Sequence, residues 1–417
     1  MPGVPSSRGC TACRQQKKKC DQLTPLCSRC ARLGIPCIGS GERRYKFMDA
    51  PIRTSSKTGT RTESPPAAKS KMQLATPVPS NRTALDASHF ISALRVTDVR
   101  FDLRIYGPFF VELPRRLGKN RALDASVRAL AASYPWVHTR QYTPDMYKAY
   151  GEALACLRVS LGDPATAGSV ETMCAVYLIM ICQGWIGRGG DFFPNHGEAI
   201  AHLLNTAAAA RNWQDEFAAE VTNTLLVIVI IESFANHKIN LDPSLWAPSG
   251  SPVIARPNRP PANHAPGIEC LRIPSLAAIA DYTRNPQGNL PAIISAHAVL
   301  QCDLANMKAL LSEVQDARHI HARRQTSYGT LLLLGLMANW ALRVFGIGNP
   351  HALELEKAML IDEIIDVAQG ALQYRPLAAS AMPRFIMAAR MMADNKARLV
   401  RLEELLTLYR SDFPTSD

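Results

Sequence analysis

From residue 84 onward, apolar residues recur three and four positions apart rather than two, the spacing of helices that bury one face. RALDASVRALAASY (121–134), YKAYGEALACLRVSLG (147–162) and SVETMCAVYLIMICQGW (169–185) show it most clearly. In the last of these Ser169 stands at the expected N-cap, and Glu171 falls in the first turn, where negative charge suits the helix dipole. The same spacing predicts helices over 196–210, 214–238, most of 289–318, 324–345, 351–373 and 383–411. Alternation of period two is sparse, so the expected fold class is mostly all-α, with a large helical region of roughly ten helices over 84–417. PSLWAPSGSPVIARPNRPPANHAPG (243–267) carries seven prolines and is expected to be an extended surface loop. The longest strongly apolar stretches, VYLIMIC, LLVIVII and LLLLGLMANWAL, fall short of the roughly 20 residues that span a bilayer, so no membrane partner is expected.

The pattern disappears before residue 84. Residues 49–83 are read as a disordered basic linker rich in Pro, Ser and Thr, with nothing from which to build a core. Ser64-Pro65 and Thr76-Pro77 are ordinary for such a linker. The charge confirms the division: residues 1–82 hold 16 Lys/Arg against 4 Asp/Glu, whereas 83–417 hold 31 of each, so the net +12 resides in the basic arm. A basic arm on a neutral body implies an anionic partner. The N-terminal residues MPGVPSSRGC lack the apolar run of a secretory signal, which points away from an oxidising compartment and from disulfides.

Residues 1–48 form a separate module. Six of the 11 cysteines lie here, as Cys10, Cys13, Cys20, Cys27, Cys30 and Cys37, in two C-x2-C-x6-C halves offset by 17 residues. Zinc takes four tetrahedral ligands, and no histidine precedes His89. Six thiolates therefore serve two zinc ions only if two sulfurs bridge; a single four-cysteine site with two spare thiols and an iron–sulfur cluster fit the spacing less well. A straight helix would separate Cys13 from Cys20 by roughly 10.5 Å, so each half must start a short helix and turn back. Gly34 and Pro36 supply that break in the second half; the first half has no such residue, and the metal is expected to enforce the return. Between the second and third cysteines of each half, RQQKKK carries four positive charges and ARLGIP one. Counterions for a cluster would be shared between the halves, whereas a basic helix on one half suits a DNA major groove, where Lys or Arg can bond guanine O6 and N7.

The cysteine spacing, the run Cys13-Arg14-Gln15-Gln16-Lys17-Lys18-Lys19-Cys20 and Pro25-Leu26-Cys27 resemble the fungal binuclear zinc cluster transcription regulators. The resemblance implies that Cys10 and Cys27 bridge the two zinc ions, that the first helix reads a CGG-type triplet and that Lys17 makes the main base contact. It further implies phosphate contacts from Arg14 and Lys19, with Arg29 and Arg32 as weaker candidates and Lys18 at a variable position; Gln16 replaces a residue that is often basic. LPRRLGKNRALDASVRALAASY, LGDPATAGSVETMCAVYLIMICQGW and HGEAIAHLL are similar to the helical regulatory region of one large group of these regulators. The expected protein is a nuclear regulator of RNA polymerase II transcription, not an enzyme, binding double-stranded DNA and transcriptional co-regulators. Regulators of this kind often govern metabolic or secondary-metabolite genes. The alternative is a zinc-bound adaptor whose basic arm meets acidic proteins or RNA without reading sequence.

Other signals weaken on inspection. His196 and His202 in HGEAIAH lie about 240° apart on a helix and cannot share one ion. GRGGDFF (187–193) lacks the Lys-Ser/Thr of a phosphate loop, and MPRFIMAARMM (382–392) reads as core. The five scattered cysteines read as small hydrophobes, and no heptad repeat follows Cys37, which leaves the oligomeric state open. The basic segments 14–19 and 43–46 also suit nuclear import.

Overall fold

A computed structural model describes residues 9–23, 26–37, 81–187, 196–209, 215–246, 268–313 and 317–413. The chain divides into two units, Met1–Leu74 and Ala75–Asp417. In the first unit the described residues form two short helices, α1 (Thr11–Gln15) and α2 (Ser28–Leu33). The linker stretch up to residue 80 lies outside the described residues, as do the segment 43–46 and most of the proline-rich loop.

The second unit is helical, with no strand among the described residues. In chain order it contains α3 (Asn81–Leu94), α4 (Leu113–Arg116), α5 (Arg121–Thr139), α6 (Pro144–Gly162), α7 (Pro164–Ala167), α8 (Val170–Trp185), α9 (His196–Ala209) and α10 (Glu216–Ser233). There follow α11 (Ile273–Arg284), α12 (Leu290–Ser312), α13 (Arg318–Val344), α14 (Pro350–Ala371), α15 (Met382–Met392) and α16 (Lys396–Arg410). Two packing centres organise them: α5 against α3, α6 and α8, and α13 against α12, α14 and α15. No helix of the described residues is long and apolar enough to cross a membrane.

Local chemistry sets the helix ends. Ser169 caps α8 by accepting the Thr172 N–H at 3.2 Å, with Glu171 in the first turn as expected. Asn120 caps α5 through the Leu123 N–H at 3.0 Å. α5 continues past residue 134 and through Pro135, because Trp136 and Val137 are buried and hold the last turn in the core. Arg140 then ends it in the left-handed region, donating its N–H to the Trp136 carbonyl at 2.8 Å with its guanidinium 4.8 Å from the Trp136 ring. α3 and α11 were not anticipated: α3 begins inside the stretch assigned to the linker, and α11 is short, with a proline in its first turn.

The segment 383–411 was expected to be one helix and is two. Asn395 accepts the Ala397 N–H at 2.8 Å and starts α16 afresh, while Asp394 pairs at 2.8 Å with Lys357, which is only 4% exposed. Lys357 also pairs with Glu354, so a buried cation ties α14 to the break. The Lys357 ammonium beside it holds the Asp394 carboxyl down at about 2.

Helix α13 approaches α15 so closely that a Cβ on Gly329 would lie 2.4 Å from the Phe385 ring. Gly329→Ala is expected to lower stability by about 1–3 kcal/mol through overpacking. Gly151→Ala, in α6 where a Cβ meets nothing within 4 Å, is expected to raise it by about 0.5–1 kcal/mol. Denaturant unfolding of the two variants followed by far-UV circular dichroism checks the opposite signs.

Candidate metal centre and nucleic-acid interface

The two halves of the cysteine module share a backbone design as well as a spacing. α1 carries Cys13, with Cys10 before it and Cys20 after; α2 carries Cys30, with Cys27 before and Cys37 after. Each helix ends on a residue in the left-handed region, Lys17 at φ 51° and Gly34 at φ 61°. The next residue then returns its N–H to the helical cysteine: Lys18 to the Cys13 carbonyl at 2.9 Å and Ile35 to the Cys30 carbonyl at 3.2 Å. This six-to-one closure is the Schellman arrangement. The expectation that metal alone turns the first half back is therefore corrected: Lys17 makes the turn that Gly34 makes 17 residues later. A side chain in that conformation costs on the order of 1 kcal/mol relative to glycine.

The six sulfurs come together as two groups of four. Cys10, Cys13, Cys20 and Cys27 form one, Cys10, Cys27, Cys30 and Cys37 the other, each with its sulfurs within 4.8 Å of one another. Cys10 and Cys27 belong to both. Zinc–sulfur bonds near ~2.3 Å in a tetrahedron place sulfurs about 3.8 Å apart. The separations are 3.9 Å for Cys10–Cys27, 3.5 Å for Cys10–Cys30 and 3.8 Å for Cys13–Cys27, so the donor set fits two tetrahedral ions sharing an edge.

Backbone donors support the sulfurs in matching pairs. Cys13 and Cys30 give their N–H groups to the shared sulfurs of Cys10 and Cys27 at 3.5 and 3.4 Å, and Cys10 and Cys27 give theirs to Cys20 and Cys37 at 3.5 and 3.3 Å. The Cys13 and Cys30 N–H groups draw the Cys10 and Cys27 thiols below their ordinary range. Burial pushes Cys13 up to about 11 and raises Cys30 as well. One support was not foreseen: Asp21 accepts the Ser28 N–H through both carboxylate oxygens at 3.2 and 3.1 Å, pinning the end of the first half to the start of α2. Its place directly after Cys20 was the signal available for it.

The cations separate by environment. Lys17, Lys18 and Lys19 are exposed on the α1 turn, and Arg32 is exposed in the last turn of α2. Arg29 is half-buried, and its guanidinium draws the Cys13 thiol down against the effect of burial. The Arg14 side chain lies outside the described residues. In the second unit, His196 Nε2 bonds Gln183 Oε1 at 3.1 Å, and His202 on the same helix is exposed. Cys174, Cys182 and Cys270 are buried as expected, and Cys302 is exposed.

Comparison with known proteins places the module. Residues 8–46 match the family described as the fungal Zn(2)-Cys(6) binuclear cluster domain. The first unit therefore carries a fungal binuclear zinc cluster, and the group it takes is a pair of zinc ions. The transcription factor dibT of Pestalotiopsis microspora is 44% identical over 48 residues, a stretch that makes up 12% of this chain and 7% of that relative. No solved structure matches the chain.

Since Cys10 and Cys27 belong to both groups, Cys10→Ala and Cys27→Ala are each expected to lower zinc below one ion per chain. Cys13→Ala and Cys37→Ala leave one group of four complete and are expected to retain about one ion; zinc analysis of the purified variants decides. The raised Cys13 and Cys30 thiols are protonated at neutral pH without metal, so zinc uptake releases protons. Apparent zinc affinity is expected to rise with pH and to fall as acid reprotonates the thiolates. Calorimetry in buffers of different ionisation heat reads the protons released.

Proposed function

We propose that this protein is a nuclear, sequence-specific DNA-binding regulator of RNA polymerase II transcription, in which zinc holds α1 for reading CGG-type triplets in the major groove. The six cysteines from Cys10 to Cys37 are its ligands, with Cys10 and Cys27 bridging. Its outputs are metabolic or secondary-metabolite genes, the use that the resemblance implies. Residues 1–48 are the DNA-binding domain, 49–83 the linker and 84–417 the helical regulatory domain, which senses an effector or binds co-regulators.

One observation carries this reading. The halves share ligands, sulfur supports and helix closures, yet Lys17, Lys18 and Lys19 stand where the second half has Gly34, Ile35 and Pro36. Folding is served by glycine at the turn, as the second half demonstrates. A lysine kept in a left-handed conformation is a local cost that a side-chain function explains. On an exposed turn at the end of a short helix, an ammonium group can reach guanine O6 and N7, and its neighbours can reach flanking phosphates. Lys17 is accordingly the base-reading residue, and Arg14, Lys18, Lys19 and Arg32 set affinity and register through the backbone.

Lys17→Gly separates folding from recognition. The variant is expected to bind two zinc ions at least as firmly as the parent, since glycine suits the turn, while losing about tenfold to a hundredfold in affinity for a CGG-containing duplex. It should also lose discrimination against a duplex altered at the triplet. A zinc-bound adaptor acting through charge alone gives a different result, an equal loss on both duplexes and a salt dependence reduced by about one phosphate contact. Titrations of both duplexes at two salt concentrations distinguish the two.

A further inference from the structure

Two zinc ions and six thiolates carry a net charge of about −2, and that charge needs a partner in the protein. The three lysines on the α1 turn are exposed. Among the described residues the one placed to meet it is Arg29, on the opposite half, whose guanidinium draws down the thiol of Cys13, a sulfur of the first group only. Its Nη1 is buried and has no hydrogen-bond partner among the described residues. A guanidinium nitrogen withdrawn from water is costly unless an anion faces it. The position related by the 17-residue offset is Ala12, which is partly buried and apolar, so it offers Cys30 no equivalent guanidinium.

We propose that Arg29 is a positioning and charge-balancing residue of the zinc cluster: it holds the Cys13 sulfur, offsets the excess negative charge and slows loss of the ion bound by Cys10, Cys13, Cys20 and Cys27. The two ions then differ in lability, and the α1 lysines remain free for an external anion. This rests on the zinc centre and not on the DNA-reading role, so the two succeed or fail separately.

The test uses the full zinc-loaded chain challenged with a colorimetric chelator. Arg29→Met is expected to speed release of one of the two ions on the order of tenfold to a hundredfold, the usual scale for a residue supporting a metal ligand. Arg29→Lys should restore much of the difference. With cadmium in place of zinc, one of two 113Cd resonances should move in Arg29→Met while the other stays. Ala12→Arg supplies the missing guanidinium and should slow release of the second ion, which keeps the proposal testable should Arg29→Met fold poorly. Parental release rates in Arg29→Met with a salt dependence of DNA binding reduced by about one contact would overturn the proposal in favour of a phosphate-binding Arg29. Equal acceleration of both ions, unrelieved by Arg29→Lys, or no slowing in Ala12→Arg, would overturn it in favour of general packing.

Discussion

The sharing of two sulfurs between two metal sites is the constraint on which the first unit depends. Among its described residues the buried ones are Cys10, Cys13, Cys27 and Cys30, with Ala12, Ile35, Cys20 and Cys37 packed against them. So few apolar atoms cannot offset the entropy of ordering the segment. Metal–thiolate bonds take the place of a hydrophobic core, and the free energy of zinc binding is then the free energy of folding. Helices of five and six residues are too short to persist alone in water. They persist here because their cysteines are fixed at one end and a six-to-one closure turns the chain back at the other.

The second unit obeys different physics. Its helices are held by burial: α8 is apolar on nearly all sides because it lies among α5, α6, α9 and α10, and α13 fills the same place for the C-terminal helices. Three aromatic side chains carry hydrogen bonds through that interior. The Tyr177 hydroxyl donates to the Tyr106 carbonyl at 2.9 Å, the Trp185 indole to the Tyr106 hydroxyl at 3.0 Å, and the Tyr409 hydroxyl to the Ala368 carbonyl at 2.6 Å. A metal-dependent module and a hydrophobic body are thus stabilised by different means, and the net positive charge lies on the metal-dependent side of the chain.

Much of this was legible in the sequence, for reasons that can be named. Most of the long helices follow the recurrence of apolar residues three and four positions apart, and the N-cap at Ser169 followed from local chemistry alone. The cysteine spacing fixed how many ions six thiolates can hold and required two of them to be shared. Beyond α3, α11 and the Asp21 support, other features were not legible. The end of α5 depended on burial of Trp136 outweighing the hydrogen bond lost at Pro135. The α15–α16 break depended on Lys357, which comes from a different helix. The turn at Lys17 was hidden because lysine carries no turn signal of its own; only the second half, with Gly34 in the same place, shows what conformation the first must adopt. The charge of Arg29 was visible, but its direction was not.

The central claim is that zinc-held α1 reads base sequence. Selection from a random duplex library by the zinc-loaded full chain tests it most directly. Enrichment of CGG-type triplets that disappears when zinc is chelated is the result expected. Recovery of duplexes with no common sequence, or enrichment that survives removal of the metal, would contradict the account.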